Sequence, residues 1–385
     1  MRIVADENMP FAREAFSTLG QVTLAPGRKM SADTVREADC LAVRSVTKVN
    51  RELLEGSPVK FVGTATIGTD HVDMGWLASA GIGFASAPGC NAVSVGEYIT
   101  AALFVLSGEL GFRLHGKKLG VVGVGNVGSR VAARAAALGL EVVLNDPPLA
   151  ENTGDRRYRP LEEIYDCDII TFHVPLEKGG PHPTLHLLDS AFLARLKPGV
   201  VILNTSRGAV ADNAALEAAL DSGQVAAAVL DVWEGEPQVR LSLLEKVVIG
   251  SPHIAGYSYD GKARGTSMIY QAACRHFGRA PSWDAAALLP PPHVARIRVE
   301  GEVEHPEQAV GVAVLTAYPI LEDDARMREL LKMSGDTERA AYFDRMRKEY
   351  WVRREFEAFT VELAPSLAAA SSTLEKLGFR VEISA

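Results

Sequence analysis

Leu119-Gly120-Val121-Val122-Gly123-Val124-Gly125-Asn126-Val127-Gly128-Ser129-Arg130-Val131 decides the fold. Residues 119–123 have the apolar run of a buried strand, and 127–138 have the periodicity of a helix. Between them stands Gly-x-Gly-x-x-Gly, formed by Gly123, Gly125 and Gly128. Alone that motif is a weak signal; with a strand before it and a helix after it, it reads as a dinucleotide-binding turn. The first glycine permits the turn, the second lets the backbone approach a pyrophosphate, and the third lets helix and strand pack closely. The helix start offers free N–H groups and the positive end of the dipole to the phosphates. Residues 141–145 read as the next strand, and Asp146 follows it. That is about 20 residues after the motif, where an acid binds the ribose hydroxyls. A carboxylate there repels a 2′-phosphate, so NAD is expected rather than NADP.

Outward from this turn, 169–173, 200–204, 226–231 and 247–250 read as strands separated by helical stretches. The alternation implies a doubly wound parallel sheet of Rossmann type. Upstream, strands at 2–5, 40–43 and 59–63 and a helix at 10–19 describe a small α/β domain. A helix over 92–110 crosses to the next domain, and a helix over 261–277 returns to the first, making it discontinuous. After Pro290-Pro291-Pro292 come strands at 293–300 and 380–383 and helices at 306–318 and 336–359. The expected domains are 1–88 with 254–286, 89–253, and 287–385. The last contains no catalytic motif, which leaves interaction or oligomerisation as its work. Its basic cluster, Arg345, Arg347, Lys348, Arg353 and Arg354, reads as helical stripes facing solvent or a partner subunit.

The chain's 385 residues exceed one core. A net charge of −8 gives no global field for nucleic acid, so an anionic substrate must find its cations locally. No apolar run reaches the roughly 18 residues of a membrane span. The first residues turn acidic at once, unlike a signal peptide. Cys40, Cys90, Cys167 and Cys274 are widely spaced, which suits thiols in a reducing cytoplasm and suggests neither disulfide nor metal.

Three residues complete a chemistry. They are Arg207 in Asn204-Thr205-Ser206-Arg207-Gly208, Glu236 in Trp233-Glu234-Gly235-Glu236-Pro237, and His253 in Ser251-Pro252-His253-Ile254-Ala255-Gly256. Oxidising a 2-hydroxy acid needs a base for the hydroxyl proton, and imidazole titrates near neutrality. A carboxylate beside it orients the ring, and a guanidinium fork holds the substrate carboxylate and the developing carbonyl oxygen. Taken singly, a histidine after Ser-Pro is often a turn residue and an arginine before glycine a loop cap. Their conjunction, each after a strand and downstream of the glycine turn, favours catalysis. Asp231 ends a strand and is a candidate for holding the nicotinamide carboxamide.

These motifs resemble the D-isomer-specific 2-hydroxyacid dehydrogenase family over roughly residues 1–280. The resemblance implies a flavodoxin-like substrate domain and a nucleotide-binding domain, with the active site between them. Asp6-Glu7-Asn8-Met9-Pro10, Arg44-Ser45-Val46-Thr47, Thr64-Ala65-Thr66-Ile67-Gly68 and Gly89-Cys90-Asn91 narrow it to a branch with an extra C-terminal α/β domain that mediates homodimerisation. That branch acts on a small phosphorylated 2-hydroxy acid. By resemblance, Ser45, Thr66 and Tyr257 contact substrate. Asn126, Val127, Pro175, Thr205, Ser206, Arg207 and Gly256 join Gly123, Gly125, Gly128, Asp146 and Asp231 around NAD. Arg44, with Lys48, is the candidate for the distal phosphate.

Overall fold

A computed structural model describes residues 1–384. The chain forms two compact units, Met1–Val93 with Tyr257–Pro290, and Ser94–Gly256 with Pro291–Ala385.

The first unit holds strands β1 (Arg2–Asp6), β2 (Gln21–Ala25), β3 (Cys40–Val43), β4 (Phe61–Thr64) and β5 (Gly83–Ala85). All pair in parallel in the order β2-β1-β3-β4-β5. That is the flavodoxin-like order 2-1-3-4-5. The central strands β3 and β4 are buried along their whole length, as expected when helices cover both faces. One cover is the helix Tyr259–His276, far away in sequence. Ser258 caps its start by accepting the N–H of Gly261 at 2.8 Å. Its Ile269, Tyr270, Ala273 and Cys274 join Ile3, Phe16, Cys40 and Phe61 in one core. Strands β2 and β5, not anticipated from sequence, are the two sheet edges, where partial cover relaxes the demand for a continuous apolar run.

The second unit carries β6 (Lys118–Val122), β7 (Glu141–Asn145), β8 (Ile169–Phe172), β9 (Val200–Asn204), β10 (Val225–Leu230) and β11 (Ile249–Gly250). Their order is β11-β10-β9-β8-β6-β7, all parallel. On the free edge of β7, Leu144 makes one parallel bridge to Tyr158. This bridge stands where a third strand would lie in the Rossmann order 3-2-1-4-5-6. The topological switch therefore falls between β6 and β8, directly above the glycine turn.

Residues 291–385 add a parallel sheet of β12 (Arg296–Val299), β13 (Thr360–Leu363) and β14 (Arg380–Ile383). Expected as a separate domain, this segment instead shares a core with the nucleotide-binding sheet. Met327, Leu330 and Phe343 pack in one cluster with Phe172, Leu230, Trp233 and Leu243. The helix Pro306–Ala317 lies so close to the helix Ala92–Leu110 that a Cβ on Gly311 would stand 2.9 Å from Phe104. The expected helix over 336–359 ends at Lys348; the chain then runs without regular structure through Glu355 and passes by a 3-10 turn, Phe356–Ala358, into β13. Arg353 and Arg354 are consequently buried and lie on no exposed stripe. Ala92–Leu110 is long and apolar enough, by length and composition, to cross a membrane, although the sequence reading found no such run. Most of it is packed inside the protein.

Replacing Phe343 by alanine should cost about 3–5 kcal/mol, the usual penalty for emptying a buried aromatic site. Because that ring sits in the shared core, the loss should appear in the melting of the nucleotide-binding unit. A calorimetric trace in which only a separate C-terminal transition moved would contradict the shared core.

Candidate active site

The three glycines perform different tasks. Gly123 has φ +86°, and a Cβ there would stand 2.7 Å from the carbonyl oxygen of His173. A Cβ on Gly128 would meet the Gly123 carbonyl at 1.9 Å, so strand and helix approach as closely as backbone allows. Gly125 has nothing within 4 Å of the same position, leaving open space where a diphosphate can reach the chain. The helix Asn126–Ala137 begins without a side-chain cap, and Asn126 and Val127 form its first turn. Asp146 caps Leu149 N–H at 3.0 Å with one oxygen and accepts Val124 N–H at 2.8 Å with the other. Its carboxylate is thus tied to the glycine turn and, with about four acceptor positions, still has room for two hydroxyls. These features fit a dinucleotide.

Pro175, Thr205, Ser206, Arg207, Asp231 and Gly256 all lie just beyond the carboxyl ends of β8, β9, β10 and β11. That edge is where open α/β sheets bind ligands. Asn204 shapes the turn after β9. Its Oδ1 accepts the Ser206 N–H at 3.0 Å and the Ser206 hydroxyl at 2.8 Å, while its amide donates to the Arg207 carbonyl at 3.0 Å. The Thr205 hydroxyl lies 3.3 Å from His173 Nδ1, and the Pro175 carbonyl accepts the hydroxyl of Thr184 at 2.5 Å. Gly208 lies against the next loop, where a Cβ would come within 2.0 Å of the Trp233 carbonyl carbon. Arg207 and the loop bearing Glu236 are therefore neighbours by backbone contact.

Glu236 and His253 meet directly, with Oε1 2.5 Å from Nδ1. The other carboxylate oxygen accepts Trp233 N–H at 3.2 Å. Burial alone would raise the Glu236 carboxyl. The hydrogen bond and charge of His253, with Arg347 adding to them, carry it below the usual carboxylate range. His253 itself has φ +59°, a left-handed conformation uncommon for a residue with a side chain. Its N–H donates to the Asp231 carbonyl at 2.7 Å. The buried Asp231 carboxylate then accepts the Ser251 hydroxyl at 2.6 Å, Ile254 N–H at 2.7 Å and Ala255 N–H at 2.9 Å. Sequence reading offered Asp231 as a cofactor contact; these bonds make it the organiser of the histidine turn, which no sequence pattern announced.

The first unit holds the other expected residues. Arg44 Nε lies 3.2 Å from Oδ2 of the fully buried Asp6. Ser45 and Lys48 are exposed. The hydroxyl of Thr66 donates to the Gly68 carbonyl at 3.1 Å and lies 2.9 Å from that of Thr64. The side-chain nitrogen of Lys262 sits 4.6 Å from the centroid of the Tyr257 ring. Burial, and then the positive charge of Arg44, push that amine down to about 8. Sequence reading missed Lys262, which lies in an ordinary-looking helix start with no motif around it.

Gly208→Ala should lower turnover by about 100-fold, because displacing the Arg207 turn by even 1 Å spoils alignment. Circular dichroism should stay unchanged. Normal turnover in this variant would show that the two loops tolerate separation.

Residues 100–255 match the sequence profile described as "D-isomer specific 2-hydroxyacid dehydrogenase, NAD binding domain". Residues 288–378 match a domain of unknown function. Among curated relatives, erythronate-4-phosphate dehydrogenase of Shigella boydii serotype 4 (strain Sb227) is 48% identical over 380 residues, covering 98% of each chain. The protein of the same name from Escherichia coli (strain SMS-3-5 / SECEC) gives the same identity and coverage. Among solved structures, D-lactate dehydrogenase from Aquifex aeolicus, complexed with NAD and lactic acid, is similar at TM-score 0.58 and 26% identity. That match covers 72% of this chain and 96% of the other. With this near full-length similarity joined to the site geometry, the chain belongs to the erythronate-4-phosphate dehydrogenase family of D-isomer specific 2-hydroxyacid dehydrogenases.

Proposed function

We propose that the protein oxidises 4-phospho-D-erythronate to 2-oxo-3-hydroxy-4-phosphobutanoate with NAD, in the biosynthesis of pyridoxal 5′-phosphate. The observation that carries the chemistry is the Glu236–His253 hydrogen bond, with the Arg207 turn packed against the same loop. The substrate's identity rests on the 48% identity to the named relatives over nearly the whole chain.

Glu236, held ionised, accepts the Nδ1 proton of His253 and so fixes the tautomer in which Nε2 is free to act as a base. Nε2 takes the C2 hydroxyl proton, and the imidazolium that results lies beside a carboxylate that stabilises it. Arg207 offers two parallel donors to the substrate carboxylate and the nascent carbonyl oxygen. NAD, when bound, takes up the C2 hydrogen with its electron pair. Gly123, Gly125, Gly128 and the first-turn N–H groups of Asn126 and Val127 would hold its diphosphate, and Asp146 its adenine-side ribose. Pro175, Thr205, Ser206, Asp231 and Gly256 would line its remaining length. Ser45, Thr66 and Tyr257 supply hydroxyls for a polyhydroxy acid. Arg44 and Lys262, rather than Lys48, are the cations suited to the distal phosphate.

The protein acts as a homodimer through the C-terminal segment. Exposed Val312, Leu321, Val352 and Ile383 all belong to that segment and offer apolar area for a partner copy. The four cysteines are buried thiols, in keeping with a cytoplasmic setting.

NADH absorbance with 4-phospho-D-erythronate or 3-phosphoglycerate, with and without an added 2-oxo acid, tests the assignment. Strong preference for the erythronate is expected, and preference for phosphoglycerate would overturn the substrate. His253→Ala should lower kcat by roughly 10²–10⁴-fold; near-normal turnover at every pH would remove it from the mechanism. Below about 8 the Lys262 amine is protonated and above it is neutral. kcat/KM for the phosphorylated substrate should therefore fall as pH rises through that value. Lys262→Met should flatten this limb and lower kcat/KM by about 10–100-fold at neutral pH, the worth of a charged hydrogen bond. An unchanged limb would exclude Lys262 from the phosphate site.

A further inference from the structure

Arg353 lies in the irregular segment that follows the helix Asp336–Lys348, and it is wholly buried. One terminal nitrogen donates to the Ala255 carbonyl at 3.1 Å and the other to the Ser94 carbonyl at 2.7 Å. Its guanidinium carbon sits 3.7 Å from the centroid of the Tyr318 ring, and Glu97, also buried, provides a carboxylate oxygen 3.8 Å away. A guanidinium so placed is fixed in position as well as in charge.

Ala255 is two residues beyond His253. Asp231 holds the N–H side of this turn, at Ile254 and Ala255, and Arg353 holds the carbonyl side. The C-terminal segment also grips the start of the turn. Asp324 accepts the Gly250 N–H at 2.8 Å, and Arg328 donates to the Val247 carbonyl at 2.7 Å. Between these anchors His253 keeps its left-handed backbone. A conformation of that kind persists only where its surroundings over-determine it.

We propose that Arg353 is a positioning residue for the reaction. It holds the 251–255 turn in the form that keeps His253 Nδ1 on Glu236, so that the C-terminal segment completes the catalytic apparatus of its own chain. This rests on the reading of His253 as the base.

Two variants test it. Arg353→Lys keeps a cation for Glu97 but offers one nitrogen in place of the two fixed ones that reach the Ala255 and Ser94 carbonyls. The double variant Arg353→Gln, Glu97→Gln replaces the guanidinium and the carboxyl beside it together with neutral amides, so that neither is left facing a missing partner. Each is measured for kcat, KM, the pH profile of kcat, NAD affinity, and the low-field proton signal of the His253–Glu236 hydrogen bond, assigned by its absence in His253→Asn. The expected result is a fall in kcat of about 10–100-fold, a displaced acidic limb and a shifted or lost low-field proton, with NAD affinity held within about threefold. A folded variant with normal turnover, pH profile and proton signal overturns the proposal. So does a fall in kcat that leaves the profile and the signal unmoved, since that marks a merely structural part. An active His253→Asn protein would sink the histidine's role and this one together; an inactive one beside a normal Arg353→Lys overturns the positioning role alone.

Discussion

The buried carboxylate of Asp231 is the point around which the candidate active site is built. It closes the strand β10 and accepts three hydrogen bonds from the turn after β11, while its backbone carbonyl holds the His253 N–H. Hydrogen bonds to a charged acceptor contribute about 1.5–3 kcal/mol each, more than most single contacts in a loop. That is enough to stabilise the unusual backbone of His253 and to set its ring against Glu236. Trp233 adds the outer wall: its indole N–H donates to the Ser251 carbonyl at 2.9 Å, and its backbone supports both Gly208 and Glu236. The arginine, the glutamate and the histidine thus come from three separate turns that share one scaffold of strand ends.

Much of this was legible in the chain. The glycine turn, the strands flanking it and the candidate trio could be picked out because each depends on local chemistry: a φ only glycine adopts easily, an apolar run, a side chain of one functional kind. The parts that escaped depend on distant neighbours. β13 was hidden because Thr-Val-Glu-Leu alternates without a continuous apolar run and follows a charged helix. Arg353 and Arg354 looked like solvated cations, and only the fold supplies the carbonyls, the ring and the acids that let arginine lie buried. Lys262 shows the same limit, since its depressed amine comes from burial and from Arg44, some two hundred positions earlier in the chain.

The C-terminal segment also changes how the chain divides. Proline-rich sequence at 290–292 suggested an independent module. Packing overrides that hint, because Met327, Leu330 and Phe343 fill a core that the nucleotide-binding sheet does not close by itself. Glu307 reinforces the union, accepting the backbone N–H of Leu114 at 2.9 Å. A segment with a sheet of its own can still be an integral layer of its neighbour.

The discontinuity of the first unit has a consequence for synthesis. Strands β1 to β5 leave the ribosome long before the helix Tyr259–His276, whose Ile269, Tyr270 and Ala273 must cover them. Until then one face of that sheet is bare, and parallel strands awaiting a distant partner are slow to settle and prone to aggregate. The turn bearing His253 waits longer still, for residue 353. Nascent chains therefore cover the first sheet only once residues 259–276 have emerged and brace the His253 turn only after residue 353, and chains truncated before those points should depend on chaperones to remain soluble.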